Sequence, residues 1–407
     1  IDQPRRIPEL MARAFRTATS ARPGPVAVVL PEDMLSEICD VADTPRYEAT
    51  HAHPGDGDMA KLRALLGAAA RPVVIVGGSG WSEEACRGVV EFAGANALPV
   101  CCSFRRQHIF DNDHPSYAGT LGFSATPALV QRIREADLIL TVGARLGSMT
   151  TRSYDLISAP TPEQTLIHVH ADANEIGRVY QPVLGIQSGM AEFAGAAAAL
   201  EPISAPPWRD WCEAARRDFL QSLEPEAYDG NLDLGRIMVS LRERLPEDAI
   251  ITTEAGNFSG WTHRFLTFRR LNTQLGPTSG AMGYGVPAAI AAKFVHPDRV
   301  VVGCSGDGGF LMSENELATA VHYGLDPIFL VFNNNTYGTI RLHQQRHYPG
   351  RTIGTELTNP DFAALAKAYG AFGETVTETA EFAPAFERAL AARTAAVIEL
   401  RMDRVDG

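Results

Sequence analysis

Short β-branched runs alternate with helical stretches through most of this chain, and that alternation limits the folds open to it. RPVVIVGGSG (71–80), ADLILTVGARLG (136–147), TLIHVHADA (165–173), DAIITTEAGNFSGW (248–261), RVVVGCSGDGG (299–309), DPIFLVFNNN (326–335) and AAVIELR (395–401) each read as a strand. Most are continuously apolar rather than alternating, the mark of a strand covered on both faces. Parallel strands of that kind need a crossover, usually a helix, between them. The pattern therefore predicts an α/β chain of tandem doubly wound parallel-sheet domains. At 407 residues it is too long for one hydrophobic core.

Polar and proline-rich stretches divide the chain. EATHAHPGDGD (48–58) reads as a linker, and LEPISAPPWRD (200–210) marks a second boundary. The expected units are 1–47, 55–200 and 208–407. The first contains a helical stretch, IPELMARAFRTATSA, and the run GPVAVVLPEDM (24–34), predicted as one helix and one strand.

Composition excludes several classes. A formal net charge of −12 opposes binding to nucleic-acid phosphates. No apolar run reaches membrane-spanning length. The six cysteines show no C-x-x-C pair and no metal-ligand spacing, and read as reduced and mostly buried residues of a cytoplasmic enzyme.

The segment GDGGFLMSENELATAVHYGLDPIFLVFNNNTYG (306–338) carries the chemistry. Asp307 stands at the carboxyl end of a buried strand, where open α/β sheets bind ligands. Gly306, Gly308 and Gly309 leave backbone N–H groups free to approach a phosphate. Ser313 and Glu316 have capping-box spacing and predict a helix start, with Leu317, Ala320 and Val321 as its apolar stripe. IFLVFN then returns Asn333, Asn334 and Asn335 to the same sheet edge. One carboxylate, amide oxygens and main-chain groups beside a phosphate-sized gap suit Mg²⁺, which takes octahedral oxygen ligands shared with phosphate. The other reading of the same residues is a turn aspartate and asparagines chosen for left-handed backbone.

Together, Gly306 to Asn334 resemble the thiamine-diphosphate signature, GDG followed by NN. The resemblance covers nearly the whole chain and is to the acetolactate synthase-like and benzoylformate decarboxylase-like branch. It implies a thiamine-diphosphate-binding fold at the carboxyl-terminal side, a Rossmann-like central domain, and the last helix and strand of a pyrimidine-binding domain in residues 1–47. It also implies that Asp307 and Asn334 bind Mg²⁺ through side chains and Thr336 through its carbonyl, with Asn333 and Asn335 structural. Gly256, Asn257 and Phe258 of EAGNF would lie at the diphosphate, with Gly306, Gly308, Gly309 and Tyr337. In SGAMGYGVPAAIAAK (279–293), the Gly280 carbonyl would accept from the aminopyrimidine and Met282 would wedge the bent cofactor. Ordinary core filling is the alternative for Met282. The segment carrying the family's activating Glu has no counterpart among these residues.

The implied activity is thiamine-diphosphate- and Mg²⁺-dependent decarboxylation of a 2-oxo acid with carboligation, by a homodimer or homotetramer with sites at subunit interfaces. The alternatives are a non-oxidative, benzoylformate decarboxylase-like lyase and a non-catalytic cofactor-binding homologue or fragment. His343 stands where acetolactate synthases carry a Trp that shapes the acceptor pocket, and GDGGF replaces their G-D-A-S-F. His343 is the candidate proton donor, with His347 beside it; a surface or interface position is the alternative for both. Arg341 and Arg346 could pair a carboxylate or be solvated.

GTLGF (119–123) and GAR (143–145) resemble segments that bind FAD in acetolactate synthases. The acidic pair that usually follows is missing here, which counts against bound FAD. VVIVGGSGW (73–81) permits a dinucleotide reading or a tight turn. His168 and His170 alternate on a strand without a third ligand and read as one face of that strand.

Overall fold

The computed structural model describes residues 1–402 except 227 and 229. Twelve strands form two six-stranded sheets, and every strand pair is parallel. The first sheet comprises β1 (Pro72–Val76), β2 (Val100–Cys102), β3 (Tyr117–Thr120), β4 (Leu138–Val142), β5 (Thr165–His170) and β6 (Leu184–Gln187), in the order β3-β2-β1-β4-β5-β6. The second comprises β7 (Ile250–Thr253), β8 (Gln274–Leu275), β9 (Val301–Gly306), β10 (Ile328–Asn333), β11 (Phe372–Val376) and β12 (Ala396–Arg401), in the order β11-β12-β10-β9-β7-β8.

The continuously apolar runs are buried as their composition requires. Every residue of β1, β4 and β10 is inaccessible. Each sheet has an apolar cluster on each face. Val74, Val76 and Phe193 belong to one face of the first sheet, and Val73, Ile75 and Ile139 to the other. Leu330 and Phe332 point to one side of the second sheet, and Phe329 and Val331 to the other. The order 3-2-1-4-5-6 of the first sheet is that of dinucleotide-binding folds.

Connections in each sheet run outward in two directions from a central pair of strands. In the first sheet that reversal lies between β1 and β4, and in the second between β7 and β9. A crevice opens at such a switch point, beyond the carboxyl ends of the two strands. In the second sheet those ends carry EAGNF and GDGG.

Three expectations differ from the structure. GPVAVVLPEDM forms no strand: among the described residues no strand pairs with 24–30, and Val29 is 73% exposed although its carbonyl accepts from the Ile1 amino group at 2.6 Å. A β-branched run becomes a strand only beside a sheet edge. The predicted capping box at Ser313 is not formed, because Ser313 Oγ accepts no bond from the chain that follows. Instead a short helix, Asp307–Phe310, starts directly on the glycine turn, and a 3-10 turn leads into Leu317–His322. Finally, helix Arg209–Ser222 packs on the first sheet although it follows the expected boundary at 208. Trp208 is fully buried there and donates to the Asn96 carbonyl at 2.9 Å, and Phe219 and Leu223 join the same core.

Buried polar groups join the two layers. Gln107 and Gln274 pair through reciprocal bonds at 2.9 Å, and Gln107 also donates to the His263 carbonyl at 2.9 Å. Asn112 and Phe268 exchange hydrogen bonds at 2.9 and 3.0 Å. Arg105 donates to the Pro277 and Glu254 carbonyls.

Candidate active site

Asp307 is 4% exposed and caps the carboxyl end of β9. Its Oδ1 accepts from Gly308 N at 2.8 Å, and its Oδ2 from Asn359 Nδ2 at 2.8 Å. Burial pushes its carboxyl above the usual range, opposed by these bonds and by the N–H groups of Asn335 and Asn334. The asparagines of the next strand therefore converge on Asp307, as the spacing predicts.

The three asparagines have separate environments. Asn333 is 3% exposed and donates to Glu399 Oε1 at 2.7 Å. Its Oδ1 accepts from Asn335 N at 3.1 Å and from Asn359 Nδ2 at 2.8 Å. Glu399 is fully buried and accepts from Thr375 and Arg401. Asn335 takes a φ of 55°, the left-handed conformation that asparagine tolerates. Asn334 is partly exposed, and its Oδ1 accepts from Thr336 N at 3.2 Å. The Thr336 carbonyl accepts from Gly338 N at 2.8 Å and retains a second lone pair.

The glycine turn is required sterically. A Cβ at Gly308 would overlap the Tyr337 ring, and one at Gly309 would overlap Glu254 Oε1. Asp307 with the amide and carbonyl oxygens of Asn334 and Thr336 forms a hard-oxygen set suited to Mg²⁺, and the side-chain-free turn suits a phosphate beside it. No group of three or more His, Cys, Asp or Glu able to hold a metal occurs among the described residues. Beyond the single carboxylate of Asp307, a cation here would depend on amide, carbonyl and ligand oxygens.

The EAGNF loop lies on the other side of the crevice. Gly256 has a φ of 155°, and a Cβ there would meet the Phe258 ring at 2.6 Å. The Phe258 ring is 7% exposed and stacks on Phe332 at 4.9 Å, so its side chain serves the core beneath the site. Asn257 exchanges hydrogen bonds with Thr339, which ties this loop to helix Gly338–His347. Gly280 is exposed with a φ of 69°, and Met282 is partly exposed beside it. Met282 is therefore not core filling.

His343 is exposed on helix Gly338–His347, with its ring stacked on His347 at 6.1 Å. Arg341 makes an ion pair with Glu356 at 3.4 Å, and Arg346 is exposed. His168 lies on β5, bonded to the Ala144 carbonyl at 3.0 Å, and burial holds its pKa down at about 4. His168 and His170 are strand-face residues, as expected.

In the first sheet, the loops after β1 and β4 abut at the switch point. A Cβ at Gly78 would overlap the Gly143 carbonyl, and one at Gly143 would lie 2.7 Å from Met190 Sδ. Trp81 and Arg106 occupy the Gly77 and Gly78 carbonyls at 2.7 and 2.8 Å. Loop-to-loop packing thus accounts for these glycines, which is the tight-turn reading.

Two residues at the second-sheet site were given no role by the sequence: Asn359, which lies outside the motifs, and Glu254, the first residue of EAGNF. Asn359 belongs to a loop 52 residues after Asp307 and is recognisable only once folding brings it there. Glu254 is fully buried, and its Oε2 accepts from Gly283 N at 2.7 Å and Gly285 N at 3.4 Å. Among the described residues its Oε1 meets no hydrogen-bond partner, and burial lifts its pKa to about 7. An unpaired buried polar atom of this kind costs about 1–3 kcal/mol, so a stable fold keeps few of them. A lone acidic residue opening a strand-end loop would have been the only signal.

Residues 254–400 match the thiamine pyrophosphate enzyme C-terminal TPP binding domain, and residues 59–196 match the central domain of the same enzymes. Among curated proteins, the chain is 28% identical over 406 residues to the acetolactate synthase isozyme 2 large subunit of Escherichia coli, spanning 98% of this chain and 72% of that protein. It is 29% identical to a probable acetolactate synthase large subunit of Methanocaldococcus jannaschii, over 99% of this chain and 71% of that protein. It is 30% identical to the acetolactate synthase large subunit of Corynebacterium glutamicum, over 96% of this chain and 64% of that protein.

Proposed function

The chain carries the central and C-terminal TPP binding domains of the thiamine pyrophosphate enzymes, and from that premise we propose that it holds Mg²⁺ and thiamine diphosphate and decarboxylates a 2-oxo acid, joining the product to a second carbonyl compound. The observation that carries this reading is the convergence of Asp307, the asparagine run and the two glycine loops at the β7–β9 switch point.

When bound, thiamine diphosphate supplies the carbon nucleophile and the electron sink needed for loss of CO₂. The chain's own residues bind and orient. Asp307, the Asn334 side chain and the Thr336 carbonyl are the proposed Mg²⁺ ligands. The turn Gly306–Gly309, with Gly256 and Asn257 opposite and Tyr337 beside Gly308, receives the diphosphate. The Gly280 carbonyl would accept from the aminopyrimidine, and the partly exposed Met282 side chain would support the cofactor. Among the described residues nothing lies within 4 Å of the Cβ position of Gly280, which leaves room beside this residue for a second polypeptide unit. That openness supports a homodimer or homotetramer with sites between subunits.

A lyase that protonates its product instead of joining it to an acceptor is the second reading. It is favoured by the exposed, stacked pair His343 and His347 on helix Gly338–His347, which follows the asparagine run. Incubation of the full-length protein with Mg²⁺, thiamine diphosphate and a panel of 2-oxo acids tests the first reading. CO₂ release together with a carboligation product is the expected result. CO₂ with aldehyde alone selects the lyase, and no CO₂ from any 2-oxo acid overturns both.

The described residues contain no helix long and apolar enough to cross a membrane.

A further inference from the structure

Glu254 stands at the end of β7, where the crevice of the second sheet opens, and its side chain is fully buried. Its carboxyl touches two segments of backbone from different elements. Oε2 takes the N–H groups of Gly283 and Gly285, in the loop that carries Gly280 and Met282. Oε1 occupies the volume that a side chain at Gly309 would need, in the turn that carries Asp307. The Ser305 hydroxyl and the Gly306 N–H approach the same carboxyl. A single side chain therefore spans from the loop proposed for the aminopyrimidine to the turn proposed for the diphosphate.

The fit is specific to this pair of residues. Gly309 leaves room for Glu254, and a shorter acid could not reach both segments from the same backbone position. Arg105 fixes the root of the side chain by donating to the Glu254 carbonyl at 2.9 Å. The titratable groups facing the carboxyl are Arg105, which favours its ionised form, and the buried Cys304 thiol of β9, whose own pKa the carboxyl raises. With Oε2 filled by two N–H donors, Oε1 is left as the site for a proton.

We infer that Glu254 is a positioning residue that sets the distance between the Met282 loop and the Gly306–Gly309 turn and so sets the affinity for thiamine diphosphate. This deepens the cofactor reading given above and rests on it.

The test uses full-length protein in six forms: wild type, Glu254→Gln, Glu254→Asp, Glu254→Ala, Gly309→Ala, and Gly309→Ala combined with Glu254→Ala. Affinity for Mg²⁺–thiamine diphosphate is measured by calorimetry from pH 6 to 8.5, and thermal unfolding is followed without cofactor. Glu254→Gln, neutral and of the same length, is expected to bind within about threefold of wild type at pH 6, and to lack the loss of affinity that wild type shows above about pH 7. Glu254→Asp and Glu254→Ala are expected to bind at least about tenfold more weakly, the size of effect typical of residues that orient a ligand shell. Gly309→Ala should weaken binding and lower the melting temperature, and adding Glu254→Ala should remove the thermal cost of the alanine, a non-additive pair.

Wild-type affinity in Glu254→Asp and Glu254→Ala, or additive behaviour with Gly309→Ala, overturns the inference while the cofactor reading stands. If Glu254→Ala does not fold, Glu254→Asp decides in the same way. If wild type binds no thiamine diphosphate, the cofactor reading falls and this inference falls with it.

Discussion

Asn359 holds the outer oxygen of Asp307: its Nδ2 lies 2.8 Å from Asp307 Oδ2 and, with its second hydrogen, 2.8 Å from Asn333 Oδ1. Through Asn333 the chain of bonds continues to Glu399, Thr375 and Arg401 on the neighbouring strands. The proposed metal ligand is thus fixed from behind by a buried polar network that crosses β10, β12 and β11. Each member of such a network limits the rotamers of the next.

Asn359→Ala removes that restraint without touching the proposed ligands. Residues that orient metal ligands are worth about 10–100-fold in affinity. Titration of Mg²⁺ at saturating thiamine diphosphate should show a loss in that range, and wild-type affinity would count against the role given to Asn359.

Asp307→Ala is expected to abolish Mg²⁺-dependent cofactor binding while the protein still unfolds cooperatively. Burial already disfavours the ionised Asp307 carboxyl, so the fold does not depend on it. Unchanged affinity by calorimetry would remove Asp307 from the metal site.

Glu254 gives the cofactor-free protein a pH dependence of defined sign. Its folded-state pKa of about 7 exceeds its ordinary value of 4.5, so the folded state binds the proton more tightly than the unfolded state. The resulting stabilisation is complete below about pH 4.5, declines as pH rises, and is gone above about pH 7. The difference amounts to about 3 kcal/mol across that window, and Glu254→Gln should flatten the corresponding slope. Denaturant unfolding of wild type and variant at pH 5, 6, 7 and 8 measures it; parallel curves would contradict the prediction.

Gln107→Ala tests the contact between the two sheets. It leaves Gln274 Nε2 and the His263 carbonyl without their buried partners, while the main-chain bond from residue 107 to Gln274 Oε1 remains. At about 1–3 kcal/mol for each orphaned group, the melting temperature should fall by several degrees, as read by scanning calorimetry. A melting temperature equal to that of wild type would show that this network adds nothing to the joint.

Much of the second-sheet site was legible in the chain itself because its parts are local. GDG follows β9 directly, NNN ends β10, and one strand–helix–strand unit fixes the distance between them. The unpaired run 24–30 shows the opposite case: its residues favour a strand, but strand formation needs a neighbouring edge that no local pattern can supply. Helix Arg209–Ser222 is similar, since its apolar face could serve either sheet and only the insertion of Trp208 beside Asn96 assigns it to the first.

By itself, the sequence determined the parallel α/β architecture, the strands β1, β4, β5, β7, β9, β10 and β12, and the pairing of Asp307 with the asparagine run, because these depend on periodicity and short-range connection. Only the tertiary structure decided that Asn333 and Glu399 share a buried bond, that Asn359 restrains Asp307, and that Glu254 fills the space left by Gly309. The two hydrogen bonds join residues 66 and 52 positions apart, and the Glu254–Gly309 contact is of the same kind. They exist because the switch point brings strand ends together, and hydrogen bonding and steric fit act on distance in space rather than along the chain.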